Sequence, residues 1–228
     1  MKTLIIIPAY NEEASILKAV NRLKETNDIV DYVVINDGST DNTREICLKN
    51  NICVIDLPFN LGIGGAVQTG YKYALYNDYD IAIQFDGDNQ HNPKYISELV
   101  SEINKGNDMV IGSRYITDLS DYKSSRARQI GIKFLSLLIK AVTGKRIFDV
   151  TSGYRACNKE LIKVFASSYP TDYPEPESIT KVLKSGYKVS EIPVEMNERE
   201  HGKSSIGLID AVYYMIKVSL CILMQSKN

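Results

Sequence analysis

The chain reads as an α/β protein built on a mostly parallel, doubly wound sheet flanked by helices. Three observations predict this. Short apolar runs alternate with segments of helical spacing five times in about the first 112 residues. The runs are continuously apolar, as in strands covered on both faces. Polar turns rich in Gly, Asn or Asp follow four of them, the arrangement of βα units joined by right-handed crossovers.

The first run is Thr3 to Ile7, and Pro8-Ala9-Tyr10-Asn11 reads as its turn. Glu12 to Lys24 then has Ile16, Leu17, Val20 and Leu23 at helical spacing. Tyr32 to Ile35 is the second run. It ends in Asn36-Asp37-Gly38-Ser39-Thr40-Asp41, a turn rich in helix-capping residues, and a helix to about Asn50 follows. Ile52 to Asp56 is the third run. After the Gly-rich stretch from Asn60 to Gly65 comes a helix from Ala66 to Tyr76. Asp80 to Phe85 is the fourth, followed by Asp86-Gly87-Asp88-Asn89-Gln90 and a helix from Pro93 to Lys105. Asp108 to Gly112 is the fifth.

The second half differs. Arg126 to Thr143 reads as a helix that is apolar around most of its circumference. Arg126, Gln129, Lys133, Ser136, Lys140 and Thr143 form one narrow polar stripe. Such a helix is either packed on the sheet or partly in lipid, and its three cations suit an anionic lipid surface. Ile206 to Met224 is apolar again, interrupted by Asp210, Lys217 and Ser219. It is marginal as a membrane span and reads as an interfacial or core helix. The expected division is one domain over 1–205, with a nucleotide-binding half to about 115 and an acceptor half from about 116. An apolar helix, membrane-associated or core, follows over 206–228.

Composition removes several classes. With 228 residues, 44% hydrophobic and 24% charged, the chain is globular. A net charge of −1 gives no electrostatic case for nucleic acid. Cys47, Cys53, Cys157 and Cys221 lack metal-ligand spacing and read as free thiols in a reducing compartment. The apolar run at the amino terminus is too short for a signal peptide. No Gly-x-Gly-x-x-Gly follows the first strand, and Gly62-x-Gly64-Gly65 stands in the wrong place, so a dinucleotide oxidoreductase is disfavoured.

Chemistry concentrates at one sheet edge. Tyr10, Glu12, Asp37, Asp86, Asp88 and Arg114 all follow strands there, where open α/β sheets bind ligands, and should converge on one cleft. Asp86 and Asp88, one residue apart on a turn, can share a hard divalent cation whose shell is completed by water and substrate phosphates. An Asp-Gly turn that caps the next helix would carry the same residues. Further on, Phe148 to Arg155 is a turn with an acid and an arginine. Asn197 to Ser205 sets Arg199 and Lys203 about a flexible glycine, a loop that can fold over a phosphate. Each of these charges could also be a solvated surface group.

Six motifs occur in order: Pro8-Ala9-Tyr10-Asn11-Glu12-Glu13, Asn36 to Asp41, Asp86-Gly87-Asp88-x-Gln90, Gly112-Ser113-Arg114, Ser152-Gly153-Tyr154-Arg155 and Arg199-x-x-x-Lys203-Ser204. From Thr3 to about Ile209 the chain resembles a family 2 glycosyltransferase of the dolichyl-phosphate mannose synthase and polyprenyl-phosphate glucosyltransferase branch. The resemblance implies a GT-A (Rossmann-like) fold, a nucleotide-sugar donor, Mg²⁺ or Mn²⁺, and a peripheral place at the cytoplasmic membrane face. By motif, Pro8, Ala9, Tyr10, Glu12 and Asp37 would hold base and ribose. Asp86, Asp88 and Gln90 would hold metal and diphosphate, with Gly87 between them. Arg114 would contact phosphate, and Arg199 and Lys203 would neutralise donor or acceptor phosphate. The catalytic set is then Asp88, Arg114, Arg199 and Lys203.

The implied reaction is inverting transfer of a hexose, with UDP-glucose as the donor, to a polyprenyl phosphate. A runner-up is transfer to a saccharide hydroxyl in surface polysaccharide synthesis. That reaction needs a base, and Glu175 or Glu177 is the candidate; both also suit the acidic start of a helix over Ser178 to Lys184. A non-catalytic nucleotide-binding regulator has little use for the acidic set. A sugar-phosphate nucleotidyltransferase would carry a basic Gly-rich loop after the first strand. Many polyprenyl-phosphate members have transmembrane helices after the Lys-Ser motif, where this sequence shows one short apolar helix. That leaves open a membrane partner subunit, a homo-oligomer with peripheral contact, or a soluble acceptor.

Overall fold

In β1 (Thr3–Ala9) every residue is buried, yet its side chains part cleanly between two cores. Leu4 and Ile6 enter one, Ile5 and Ile7 the other, which is the period-two consequence of a strand covered on both faces. The computed structural model describes residues 1–26, 30–116, 126–197 and 208–225, and side chains at all of these except 126–127 and 208–211.

The further elements are α1 (Ile16–Thr26), β2 (Asp31–Asn36), α2 (Thr43–Lys49), β3 (Val54–Asp56), α3 (Gly62–Tyr76), β4 (Ile81–Gln84), α4 (Ile96–Asn104) and β5 (Met109–Ser113). They are followed by α5 (Arg126–Thr143), β6 (Arg155–Asn158), α6 (Lys159–Ser167), α7 (Pro174–Lys184), β7 (Val189–Pro193) and α8 (Leu208–Met224). The described strands form one sheet in the order β3-β2-β1-β4-β6-β5-β7. Strand β6 runs antiparallel to both neighbours and the other pairings are parallel. Helices α1, α2 and α4 cover one face, and α3, α5, α6, α7 and α8 the other.

The five expected strands and their helices are present, and the structure corrects several details. β1 runs through Pro8 and Ala9, which pair with Ile35 and Asn36 instead of forming the turn. Helix α1 starts at Ile16, not Glu12, and α7 starts at Pro174, so Glu175 and Glu177 lie in its first turn. Strands β6 and β7 had no counterpart in the sequence reading, and β6 separates the fourth and fifth strands. The 205/206 division falls outside the described residues.

The Gly-rich stretch before α3 is a packing device. Gly62 has φ +79°, and a Cβ on Gly64 would lie 2.0 Å from the Pro170 carbonyl oxygen. Farther along the helix, a Cβ on Gly70 would meet the Ile6 side chain at 2.2 Å. On α5 the polar stripe stays at the surface at Lys133 and Lys140 but not at Ser136. Ser136 is buried and donates to the Ile147 carbonyl, while Ile130, Phe134 and Leu137 are exposed beside Lys133 and Lys140. Among the described residues, no helix is long and apolar enough to cross a membrane.

Gly64→Ala should therefore drive α3 from the 170–171 backbone at a cost of about 1–3 kcal/mol. A fall of roughly 3–10 °C in thermal midpoint is expected at this chain length. An unchanged midpoint would mean that α3 slides freely on its support.

Candidate active site

The ends of β1, β2 and β3 are laced together by their own polar side chains. Asn11, at φ 56°, donates its N–H to Ser39 Oγ at 2.9 Å and accepts from the Thr40 N–H at 2.8 Å. The Glu12 N–H donates to Thr43 Oγ1 at 2.8 Å. The Glu13 carboxylate accepts from the Asn42 side chain at 2.7 Å, and the Glu13 N–H donates to Asp41. Tyr10 projects from this lacing, 48% exposed.

Asp37 is buried at the centre. Its N–H donates to the Ala9 carbonyl at 2.9 Å, and its Oδ1 accepts from the Leu61 N–H at 2.7 Å. Burial pushes its carboxyl pKa up, opposed by the N–H groups of Leu61 and Gly62. Asn60 closes the corner by donating to the Asp37 carbonyl at 3.2 Å. Gly38 permits this approach, since a Cβ there would stand 2.7 Å from the Asn60 nitrogen.

The acidic turn lies against the same corner: a Cβ on Gly87 would be 3.2 Å from the Pro8 carbonyl oxygen. It is a folded-in turn and not a solvent-facing one. Asp88 is 6% exposed and Asn89 4%, with Asn89 in the left-handed region at φ 66°. Asp88 Oδ1 accepts from the Gln90 N–H at 3.0 Å. Arg22 donates to Asn89 Oδ1 at 2.7 Å, and Asn197 bridges the carbonyls of Asn89 and Gln90. Asp86 keeps about a third of its side chain exposed. Gln90 is partly buried.

Arg114, directly after β5, makes a fork-to-fork ion pair. Its Nε and Nη2 donate to the two Asp149 oxygens at 2.7 and 2.8 Å, and Nη2 also reaches Thr151 Oγ1 at 2.9 Å. Both side chains are buried, so this charge is engaged inside the protein. Asp149 is held in turn by Glu191, whose carboxylate accepts from the N–H groups of Phe148 and Asp149. The two candidate bases part company. Burial raises the Glu175 carboxyl pKa, and that group feels the charges of Arg155, Asp86 and Arg114. Glu177 instead lies beside the Cys221 thiol on α8. Arg199 and Lys203 lie outside the described residues.

Two side chains at the site have no role in the sequence reading. His91, directly after the acidic turn, is 2% exposed and accepts the Asp86 N–H on Nδ1 at 2.9 Å. Gln84, the last residue of β4, donates to Asp86 Oδ1 at 3.3 Å. Their nearness in sequence to the two acids was the available signal. Among the described residues, no group of three or more His, Cys, Asp or Glu side chains could hold a metal ion by itself. Asp86 and Asp88 are hard oxygen donors of the kind that Mg²⁺ or Mn²⁺ takes, and such an ion would leave its remaining positions to diphosphate and water.

Removing one partner of the Arg114–Asp149 pair strands a buried charge. Asp149→Ala should cost about 3–5 kcal/mol in urea unfolding, and an unchanged midpoint would mean that Arg114 finds another acceptor.

The family model for Glycosyl transferase family 2 matches residues 4–165. A polyprenol monophosphomannose synthase of Mycolicibacterium smegmatis is 29% identical over 96% of this chain and 86% of its own length. A UDP-N-acetylglucosamine–dolichyl-phosphate N-acetylglucosaminyltransferase of Methanococcus voltae is 31% identical over 84% of each chain. Glucosyl-3-phosphoglycerate synthase of Mycobacterium tuberculosis, crystallised with Mn²⁺, UDP and phosphoglyceric acid, superposes with a TM-score of 0.72. It is 19% identical, with 98% of this chain and 77% of that one covered, a likeness of fold. With the match over 4–165 and the laced strand ends in view, the chain belongs to glycosyltransferase family 2 and has its GT-A type α/β fold.

Proposed function

We propose that this glycosyltransferase uses Mg²⁺ or Mn²⁺ to move a hexose, with inversion, from a UDP-linked donor to a polyprenyl phosphate at the inner membrane face. Glucose is the assigned sugar. The observation that carries the reading is the pair Asp86 and Asp88, set at the end of β4 against the corner that holds Asp37. Relatives named for polyprenyl- and dolichyl-phosphate transfer support the acceptor class.

Tyr10 and Asp37 take the base, the Asp37 carboxylate accepting the imide N–H of uracil; Pro8, Ala9 and Glu12 frame the ribose. Asp86 and Asp88, with Gln90 beside them, hold the cation, which when bound offsets charge on the departing diphosphate. Arg114, forked on Asp149, holds the frame behind the site. Arg199 and Lys203 supply phosphate contacts. The acceptor phosphate oxygen attacks the anomeric carbon in line and the nucleoside diphosphate leaves from the opposite face. A phosphate monoester is already ionised near pH 7, so no strong base is needed.

A second reading, transfer to a saccharide hydroxyl, is favoured by one observation. Glu175, and not Glu177, sits where its charge couples to Asp86, with its pKa raised by burial as a general base requires.

Membrane attachment is assigned to the outer face of α5. There Ile130, Phe134 and Leu137 are exposed among Arg128, Lys133 and Lys140. On α8, Val212, Ile216, Leu220 and Leu223 are exposed as well. Apolar side chains interleaved with cations fit an anionic bilayer interface.

UDP release from UDP-glucose should require divalent metal and rise on adding a short polyprenyl phosphate. Asp88→Asn should lower it about 100-fold or more. Release indifferent to the lipid phosphate would overturn the acceptor, and Glu175→Gln then tests the hydroxyl reading. Lys133→Glu with Lys140→Glu should release the protein from phosphatidylglycerol vesicles; equal sedimentation of both forms would assign α5 to another surface.

A further inference from the structure

The two acids of the turn are held in different ways. Asp88 is fixed by its own turn, through the Gln90 N–H and burial. Asp86 is more exposed, and a carboxylate in that position would rotate unless something outside the turn held it.

That hold comes from Gln84 and His91. Gln84 Nε2 donates to Asp86 Oδ1 at 3.3 Å. His91 Nδ1 accepts the Asp86 backbone N–H at 2.9 Å, which fixes the tautomer and leaves the proton on Nε2. Nε2 stands 3.4 Å from Asp86 Oδ2. Thus one ring nitrogen accepts from the backbone of Asp86, and the other lies within ion-pair range of its carboxylate without forming a hydrogen bond to it.

The ring is itself locked. Tyr154 stacks on it at 4.6 Å between centroids and 10° between planes, and Phe85 meets it edge-on at 5.6 Å. Tyr154 is anchored by its hydroxyl donating to the Asn92 carbonyl at 3.0 Å. The Gln84 side chain is buried as well. Gln84 and Arg155 are partners in the antiparallel β4–β6 register and share a face. Gln84 Oε1 and Arg155 Nη2 are both buried without a hydrogen-bond partner. Gly153 completes the enclosure, because a Cβ there would lie 2.9 Å from Gln84 Nε2 and 3.2 Å from Asp86 Oδ2.

The geometry points to Gln84 and His91 as positioning residues that hold the Asp86 carboxylate in place for a divalent cation. The inference rests on the proposed cation role of Asp86 and Asp88 and assigns its outer support. Outer-shell partners of this kind are worth about 10–100-fold in metal affinity.

The test measures Mn²⁺ binding by electron paramagnetic resonance in the presence of UDP, together with the thermal midpoint of the metal-free protein. Wild-type binding tests the cation reading itself, and if the wild type binds no Mn²⁺, reading and inference fall together. If it binds, His91→Phe, which keeps a ring on Tyr154, and Gln84→Met should each weaken Mn²⁺ about 10–100-fold. UDP-glucose turnover should recover when Mn²⁺ is raised to compensate. His91→Asn, which keeps an acceptor near Nδ1, should bind Mn²⁺ more tightly than His91→Phe. Wild-type Mn²⁺ affinity in folded His91→Phe and Gln84→Met would overturn the inference while leaving Asp86 and Asp88 as ligands. Should His91→Phe fail to fold, His91→Asn and Gln84→Met decide: wild-type affinity in both overturns the inference.

Discussion

A buried guanidinium needs its carboxylate, and the Arg114–Asp149 pair fixes much of what surrounds the site. It joins the end of β5 to the segment that leads into β6. The Glu191 clasp on the Asp149 backbone adds β7 to the same knot. With that segment held, Ser152 Oγ can donate to the Gly112 carbonyl at 2.6 Å, and Tyr154 and Arg155 enter the sheet at a set height. The pair is therefore best understood as the anchor of β6, whose position beside β4 brings Gly153 and Tyr154 to the acidic turn.

This explains which features were legible in sequence. β1, β2, β4 and β5 are apolar runs buried on both faces, so composition alone marks them. β6 is Arg-Ala-Cys-Asn, and nothing local marks it as a central strand. Its arginine is buried only because Ser152 and Ser178 accept from it at 2.7 Å, contacts that depend on the finished fold. The same limit applies to Arg114. Its place in a polar turn at the sheet edge reads as a ligand-facing cation. That Asp149, thirty-five positions on, takes its fork is a tertiary fact.

The acidic turn shows the limit most clearly. Two acids and a glycine after a strand read as surface, because loops usually run there. Here Asn197 and Arg22 cover the turn from outside and Asp88 is drawn in. The signal for ligand chemistry was legible while its burial was not. His91 shows the converse case. A single histidine carries little information until the ring contacts that lock it are known.

The charge inventory of the described cleft sets one further condition on any reaction there. Asp37, Asp86, Asp88 and Glu175 place four carboxylates at or behind it, against the guanidinium of Arg155, which rests on neutral serine oxygens, and that of Arg114, which is forked on Asp149. Such a cleft repels a diphosphate at short range, since like charges a few ångströms apart in a partly buried site cost several kcal/mol. Binding a nucleoside diphosphate there requires positive charge brought from elsewhere. On the proposed reading a divalent cation at Asp86 and Asp88 would supply one part of it, and Arg199 and Lys203, which follow β7 in sequence, would supply the other. Cation and basic residues would then act on one anion.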